Sequence, residues 1–292
     1  EILIGLVGSE MCIRDRVWQD FLRPDVSQVA FDVACGSKCP ISWHIETDCP
    51  WMQFSCTGGT VAENQRVTLT IDRSQITGKA AGQFAVVNEH IQEGTGAANI
   101  IVEVDNTPVS YPKGTFVEAN GCIAMEAQHY TAKRDVPGGG FALLKPYGRL
   151  GTALKVFPAT ANFENSEERP YLEYTFAAAK DGNYHVQFHM SATTPVTFEP
   201  KQYIGYSVNG GAVPVVNTVH EENRPFFGSE QWYAEGFANV KLIEAMIPCH
   251  AGVNTLRFYA VSPAIILEKI VLWPDGTTLP ESYLGPRESY RC

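Results

Sequence analysis

Apolar residues recur at every second position through much of this chain. Val29, Phe31 and Val33 alternate with Ala30 and Asp32, and Ile41, Trp43 and Ile45 alternate with Ser42 and His44. Val67, Leu69 and Ile71 fall on one side and Thr68 and Thr70 on the other, and segments 82–87 and 98–104 repeat the pattern. A period of two marks a strand with one buried face. Gly36-Ser37, Thr57-Gly58-Gly59, Thr77-Gly78 and Glu93-Gly94-Thr95-Gly96 interrupt the runs with turn residues. Short strands at this spacing predict a β-sandwich over residues 24–106. Trp43 and Trp51 lie in these runs and are expected to pack its core.

The second half reads the same way. Ile123, Met125 and Ala127 alternate with Ala124, Glu126 and Gln128, and segments 171–176, 184–190, 203–208, 255–261 and 265–271 are strand-like. Asp181-Gly182-Asn183 and Asn209-Gly210-Gly211 are turn signals. Residues 229–247 fit a helix over 231–239 followed by a strand over 240–246. The strand count predicts a second, larger sandwich of jelly-roll character over 116–288. Thr107 to Thr115 carries two prolines and a glycine and reads as the linker, 107–115. The fold class is therefore all-β, two consecutive β-sandwich domains. Leu284 to Cys292 is polar and Gly/Pro-punctuated and is expected to be a surface tail.

Composition supports this and narrows the partners. The 292 residues suffice for two domains, and 45% of them are hydrophobic. The net charge of -10 disfavours nucleic acid, whose phosphates need clustered Lys and Arg, but leaves a neutral polysaccharide open. The apolar run Ile2 to Gly8 is too short to insert in a membrane. The chain opens on Glu1, from which we expect sequence upstream. The string Glu10-Met11-Cys12-Ile13-Arg14-Asp15-Arg16 resembles a translated sequencing adapter, so residues 1–23 are set aside as an unstructured lead.

Four of the eight cysteines, Cys35, Cys39, Cys49 and Cys56, fall close together. Their spacings are looser than those of zinc knuckles. Disulfides Cys35–Cys39 and Cys49–Cys56, or buried thiols, are the remaining readings.

Motifs add two resemblances. Phe31-Asp32-Val33, Ile41-Ser42-Trp43, Pro50-Trp51, Thr57-Gly58-Gly59-Thr60 and Val67 to Asp72 together resemble a BACON-like immunoglobulin-type domain. That resemblance implies a spacer module of secreted or periplasmic glycan-degrading enzymes. Phe116 to Gly121, Ile123 to Thr131, Tyr147-Gly148-Arg149-Leu150-Gly151-Thr152-Ala153-Leu154, Tyr171-Leu172-Glu173-Tyr174 and Ser282-Tyr283-Leu284-Gly285-Pro286-Arg287-Glu288-Ser289 resemble, in order and spacing, the C-terminal domain of glycoside hydrolase family 115, the xylan α-glucuronidases. It implies a catalytic domain upstream that this chain lacks.

Two candidate sites follow. Met125-Glu126-Ala127-Gln128 resembles the opening of family 6 and family 35 carbohydrate-binding modules, in which carboxylates hold a structural calcium. The resemblance implies Glu126, Gln128 and Glu268 as ligands, with amide oxygen replacing one carboxylate. Sugar contact is assigned to the aromatic stretch 224–239: Trp232, Tyr233, Glu235 and Asn239, with Phe226 and Phe227 beside them and Asn209 from its turn. Aromatic rings supply apolar area and amides orient hydroxyls. Trp273, before Pro274, reads as structural. His185 and His189 share a strand face, yet with His129 and His220 no metal triad emerges.

The acidic residues are scattered, and Glu167-Glu168 and Glu221-Glu222 read as solvated, so no pair is assigned to glycoside hydrolysis. The expectation is a non-catalytic, periplasmic or secreted accessory fragment of a xylan-degrading hydrolase. Its partners would be the missing catalytic domain, xylan or glucuronoxylan, and a second copy through the C-terminal domain. The alternatives are part of an active α-1,2-glucuronidase, or a purely structural or adhesive module.

Overall fold

The computed structural model describes residues 2–6, 16–36, 38–89, 97–196, 199, 201–219, 228–279 and 282–292. The chain divides into two compact units, Glu1–Val109 and Ser110–Cys292. Among the described residues no helix is long and apolar enough to cross a membrane.

The first unit contains β1 (Ile2–Leu6), β2 (Arg16–Trp18), β3 (Gln28–Cys35), β4 (Ile41–Thr47), β5 (Met52–Phe54), β6 (Gly58–Val61), β7 (Asn64–Ile71), β8 (Gly78–Asn88) and β9 (Ala97–Asn106). One sheet has the order β1-β3-β7-β5 and the other β2-β9-β8-β4-β6. Every second residue turns inward, so Phe31, Val33, Val67, Leu69, Phe84, Val86, Ile100 and Val102 form one core. Trp43 is fully buried in it and Trp51 packs partly buried against it.

One expectation for this unit needs correction. The lead was expected to end at residue 23, but Trp18 and Phe21 are buried core residues. The Trp18 indole meets Phe31 at 5.5 Å and Phe84 at 5.4 Å. Arg73 donates to the carbonyl oxygens of Phe21, Arg23 and Val26 at 2.9, 2.7 and 2.9 Å, which ties segment 21–26 to the sandwich. Ahead of it, β2 pairs with β9 and β1 with β3, both in parallel. For the cysteine cluster, where disulfides and buried thiols were both open, the structure carries thiols. Cys35 donates its thiol to the Cys39 carbonyl oxygen at 3.2 Å, Cys56 accepts from Gln65 at 3.4 Å, and Cys49 is a free thiol.

The second unit contains β10 (Phe116–Val117), β11 (Ile123–Glu126), β12 (Ala132–Arg134), β13 (Gly140–Leu144), β14 (Ala153–Phe157), β15 (Tyr171–Ala178), β16 (Gly182–Met190), β17 (Tyr203–Val208), β18 (Val215–Asn217), α1 (Glu230–Ala238), β19 (Lys241–Cys249), β20 (Gly252–Ala260) and β21 (Ile266–Pro274). One sheet runs β10-β15-β20-β17-β18, with β12 on β15. The other runs β13-β14-β21-β16-β19, with β11 on β21. Leu172, Tyr174 and Phe176 of the first meet Val186, Phe188, Ile270 and Leu272 of the second in a single core.

Strand β21 is buried along nearly its whole length. Met190 pairs with Leu267 and His189 with Lys269, which leaves Glu268 as the extra residue of a bulge. Glu268 and Lys269 therefore stand together between the core residues Leu267 and Ile270. The polar tail expected over 284–292 covers this place instead of lying free in solvent. Ser289 is buried, donates its amide to the Ala124 carbonyl oxygen at 2.9 Å and accepts from the Ala124 amide at 3.0 Å. Cys292 closes the unit by pairing with Gly114 and Thr115. The pairings satisfy backbone groups that Gly and Pro alone would have left to water.

Candidate functional site

Helix α1 occupies the stretch predicted to be aromatic and helical. Its start is capped by Ser229, whose hydroxyl accepts from the Trp232 amide at 3.1 Å. Its end is Asn239, in the left-handed conformation, whose amide donates to Glu235 and Gly236. Asn239 is thus a helix cap. The helix is inverted relative to an ordinary amphipathic one. Gln231 and Glu235 face the domain: Glu235 accepts from Gln231 at 2.6 Å and pairs with fully buried Lys241 at 3.6 Å. Lys241 also donates to Gln202 at 3.1 Å. Burial lowers the Lys241 ammonium below its ordinary pKa, and Glu235 opposes that shift.

The aromatic side of α1 faces outward. Trp232, Tyr233 and Phe237 are 36%, 52% and 85% exposed. Trp232 meets Tyr233 edge-on at 5.0 Å, and Tyr233 stacks on Phe237 at 6.4 Å. With Ala192 and Thr194 they border a hollow of 510 Å³. Of the predicted sugar contacts, Trp232, Tyr233 and Glu235 line this hollow. Asn209 does not: it bonds to Asn254 at 2.9 Å and accepts from the Thr255 amide at 2.8 Å, holding its own turn. Phe226, Phe227 and His220 lie outside the described residues.

The predicted calcium ligands are divided. Gln128 donates to Glu126 at 3.1 Å. Their neighbours are His129 and Glu288: Glu288 accepts from the Glu126 amide at 2.9 Å and from His129 Nδ1 at 2.8 Å. Glu126, His129 and Glu288 offer ligand atoms within 4.8 Å of one another. Lys269, directly across the strand pair from Glu126, feels the charges of Glu126 and Glu288. Glu268 sits in other surroundings. It accepts from the Arg149 amide at 3.1 Å, its other oxygen is buried without a partner, and burial raises its pKa. Gly148 makes this contact possible: a Cβ there would fall 2.5 Å from the carboxyl carbon, and its φ is +62°. The donor set therefore fits calcium poorly. An imidazole and an ammonium stand where oxygen ligands are wanted, and the third carboxylate is engaged elsewhere.

A third place was not assigned from sequence. On the outer face of the β13-β14-β21-β16-β19 sheet lies a groove of 730 Å³. Its floor carries His185, Gln187 and His189, alternate residues of β16. His185 pairs directly with Trp273 of β21, and the rings lie parallel, 5.1 Å apart and 5° from coplanar. The signal was the shared face of His185 and His189; its partner Trp273 was concealed because strand register is set by tertiary pairing. The far wall is the segment containing Ser282, Tyr283, Gly285 and Pro286. Arg149 lies over the Tyr283 ring at 5.0 Å and donates to its carbonyl oxygen. Lys269 donates to the carbonyl oxygens of Leu284 and Pro286. Burial and the charges of Arg149 and Lys269 push the His189 pKa down to about 3.

The model of the glycosyl hydrolase family 115 C-terminal domain matches residues 115–288, more than half of the chain. Among solved structures, a family 115 4-O-methyl-α-glucuronidase with specificity for decorated arabinogalactans is 14% identical over 59% of this chain and 20% of its own, with a TM-score of 0.42. A family 35 carbohydrate-binding module from Clostridium thermocellum is 13% identical over 52% of this chain and 98% of its own, with a TM-score of 0.35. A family 6 module from Cellvibrio mixtus lichenase 5A, in complex with cellotriose, is 12% identical over 51% and 95%, with a TM-score of 0.33. The chain thus spans about a fifth of the length of that glucuronidase. No curated protein matches it.

Proposed function

The chain belongs to the glycosyl hydrolase family 115 C-terminal domain family, and from that premise we propose that it is the accessory end of a secreted or periplasmic xylan-processing hydrolase, holding glycan near a catalytic domain that precedes it. The single observation that carries the glycan contact is the inverted helix α1. Its ion pair with Lys241 turns Trp232, Tyr233 and Phe237 toward solvent. Such a ridge offers ring faces to the C–H surface of a polysaccharide.

In this reading the second unit does no hydrolysis. The clustered carboxylates Glu126 and Glu288 are engaged by His129 and Lys269, whereas a glycosidase sets two carboxyl groups about 5–9.5 Å apart around one sugar bond. The first unit, BACON-like in its motifs, acts as a spacer. The intact protein is then an α-1,2-glucuronidase or an assembly serving one.

Affinity electrophoresis through glucuronoxylan gels tests the reading. Retardation is expected for the native chain, and Trp232→Ala combined with Tyr233→Ala should abolish it. Equal mobility with and without polysaccharide overturns it.

A further inference from the structure

The groove on the outer sheet face has the makings of a ligand site separate from the helix ridge. Its volume of 730 Å³ lies within the roughly 300–1,000 Å³ of ordinary small-molecule sites. One side is an aromatic wall, the parallel pair His185 and Trp273. The rest mixes the apolar side chains Leu242, Leu279 and Pro286 with the uncharged polar groups of Gln187, Thr277, Thr278 and Ser282. Among the lining residues Arg149 alone carries a fixed charge, and its guanidinium is already engaged by the Tyr283 carbonyl oxygen and by His189. Aromatic area beside neutral donors and acceptors suits a pyranose, whose C–H face packs on rings and whose hydroxyls need partners of both kinds.

The polar groups are also fixed in direction. Arginine only donates, so the contact from Arg149 Nη2 at 3.2 Å makes His189 Nδ1 the acceptor. The ring proton then sits on Nε2 and is donated to Gln187 Oε1 at 2.7 Å. That orientation sends the Gln187 amide nitrogen to Glu244 at 2.6 Å. The relay leaves one Gln187 N–H and one oxygen lone pair for a ligand, in known places. A groove floor held in one hydrogen-bonding pattern lowers the ordering cost of binding.

We propose that this groove binds a short neutral saccharide, stacked on the His185–Trp273 wall and hydrogen-bonded by Gln187 and the hydroxyls of Thr277, Thr278 and Ser282. The assignment deepens the glycan reading of the second unit but uses different residues from the helix ridge.

Isothermal titration calorimetry of the whole chain with xylotriose, cellotriose and β-1,3-galactotriose tests it. At least one trisaccharide should bind saturably with one site. Trp273→Ala should weaken that binding about tenfold or more. Thr278→Trp alters an exposed residue and should block the groove with the fold unchanged by circular dichroism. Val215→Ala, an exposed change on β18 of the other sheet, should leave trisaccharide binding intact. No binding of any trisaccharide to the native chain overturns the proposal, even if gel retardation by polymer persists. Binding that survives Thr278→Trp overturns it as well. Binding of a uronate-substituted trisaccharide without its neutral counterpart overturns the assignment to neutral sugar.

Discussion

Arg149 Nη2 lies 3.2 Å from His189 Nδ1, and this contact ties a loop motif to a distant strand of the sheet beneath it. Arg149 comes from the loop Tyr147 to Thr152 and His189 from β16. The same guanidinium reaches the Tyr283 carbonyl oxygen. The motifs that carry the family resemblance thus meet around the bulge of β21, where one cradles Glu268 and the other is strapped down by Lys269.

This contact predicts an acid-dependent loss of stability. The folded pKa of His189 is about 3, well below its ordinary 6.5, through burial and the charges of Arg149 and Lys269. Between those values the unfolded chain binds the extra proton, so stability rises with pH across that window and falls on acidification. Urea unfolding from pH 6.5 down to pH 4 should show His189→Gln with a shallower pH slope than the native chain. The difference should approach about 1.4 kcal/mol per pH unit, the value for one proton. Identical slopes would refute the assignment; other titrating groups cancel in the comparison.

Gly285 should resist substitution for two separable reasons. Its φ is +71°, and a Cβ there would lie 3.1 Å from His189 Cε1. Gly276 shares the positive φ, at +80°, but has nothing within 4 Å of the added carbon. Gly276→Ala should therefore cost only the backbone term, about 1–2 kcal/mol. Gly285→Ala should cost measurably more in urea unfolding and should also loosen the groove wall. Equal costs would mean that the approach of segment 282–286 to His189 is not tight.

The cluster of Glu126, His129 and Glu288 should be indifferent to calcium. Its carboxylates already have partners within the chain, since Glu288 accepts from His129 and both lie in the field of Lys269. Millimolar calcium and a chelator should give the same melting temperature by scanning calorimetry. A rise with calcium that Glu126→Gln removes would reinstate an ion at this place.

Much of the fold was legible because alternation is a local property. Strands over 41–45, 65–71, 171–176 and 184–190 were readable, and they are covered by β4, β7, β15 and β16. Segment 229–247 was readable only as fitting a helix over 231–239 and a strand after it, and α1 spans Glu230–Ala238. The packing of Trp18 was not, since the rings it meets come from β3 and β8, far along the chain. Asn239 and Asn209 looked like sugar-binding amides, because a cap or turn role depends on which backbone amides come within reach.

The sequence by itself determined the period-two strands, the all-β class and the residue types gathered in the family motifs, since each is written in neighbouring positions. Tertiary structure decided what those residues face. Pairing of β16 with β21 put His185 on Trp273, and the bulge at Glu268 separated it from Glu126. The return of the C-terminal segment turned a polar tail into the wall of a groove. These are contacts between residues tens to more than a hundred positions apart, settled by register and by closure of the sheets rather than by local preference.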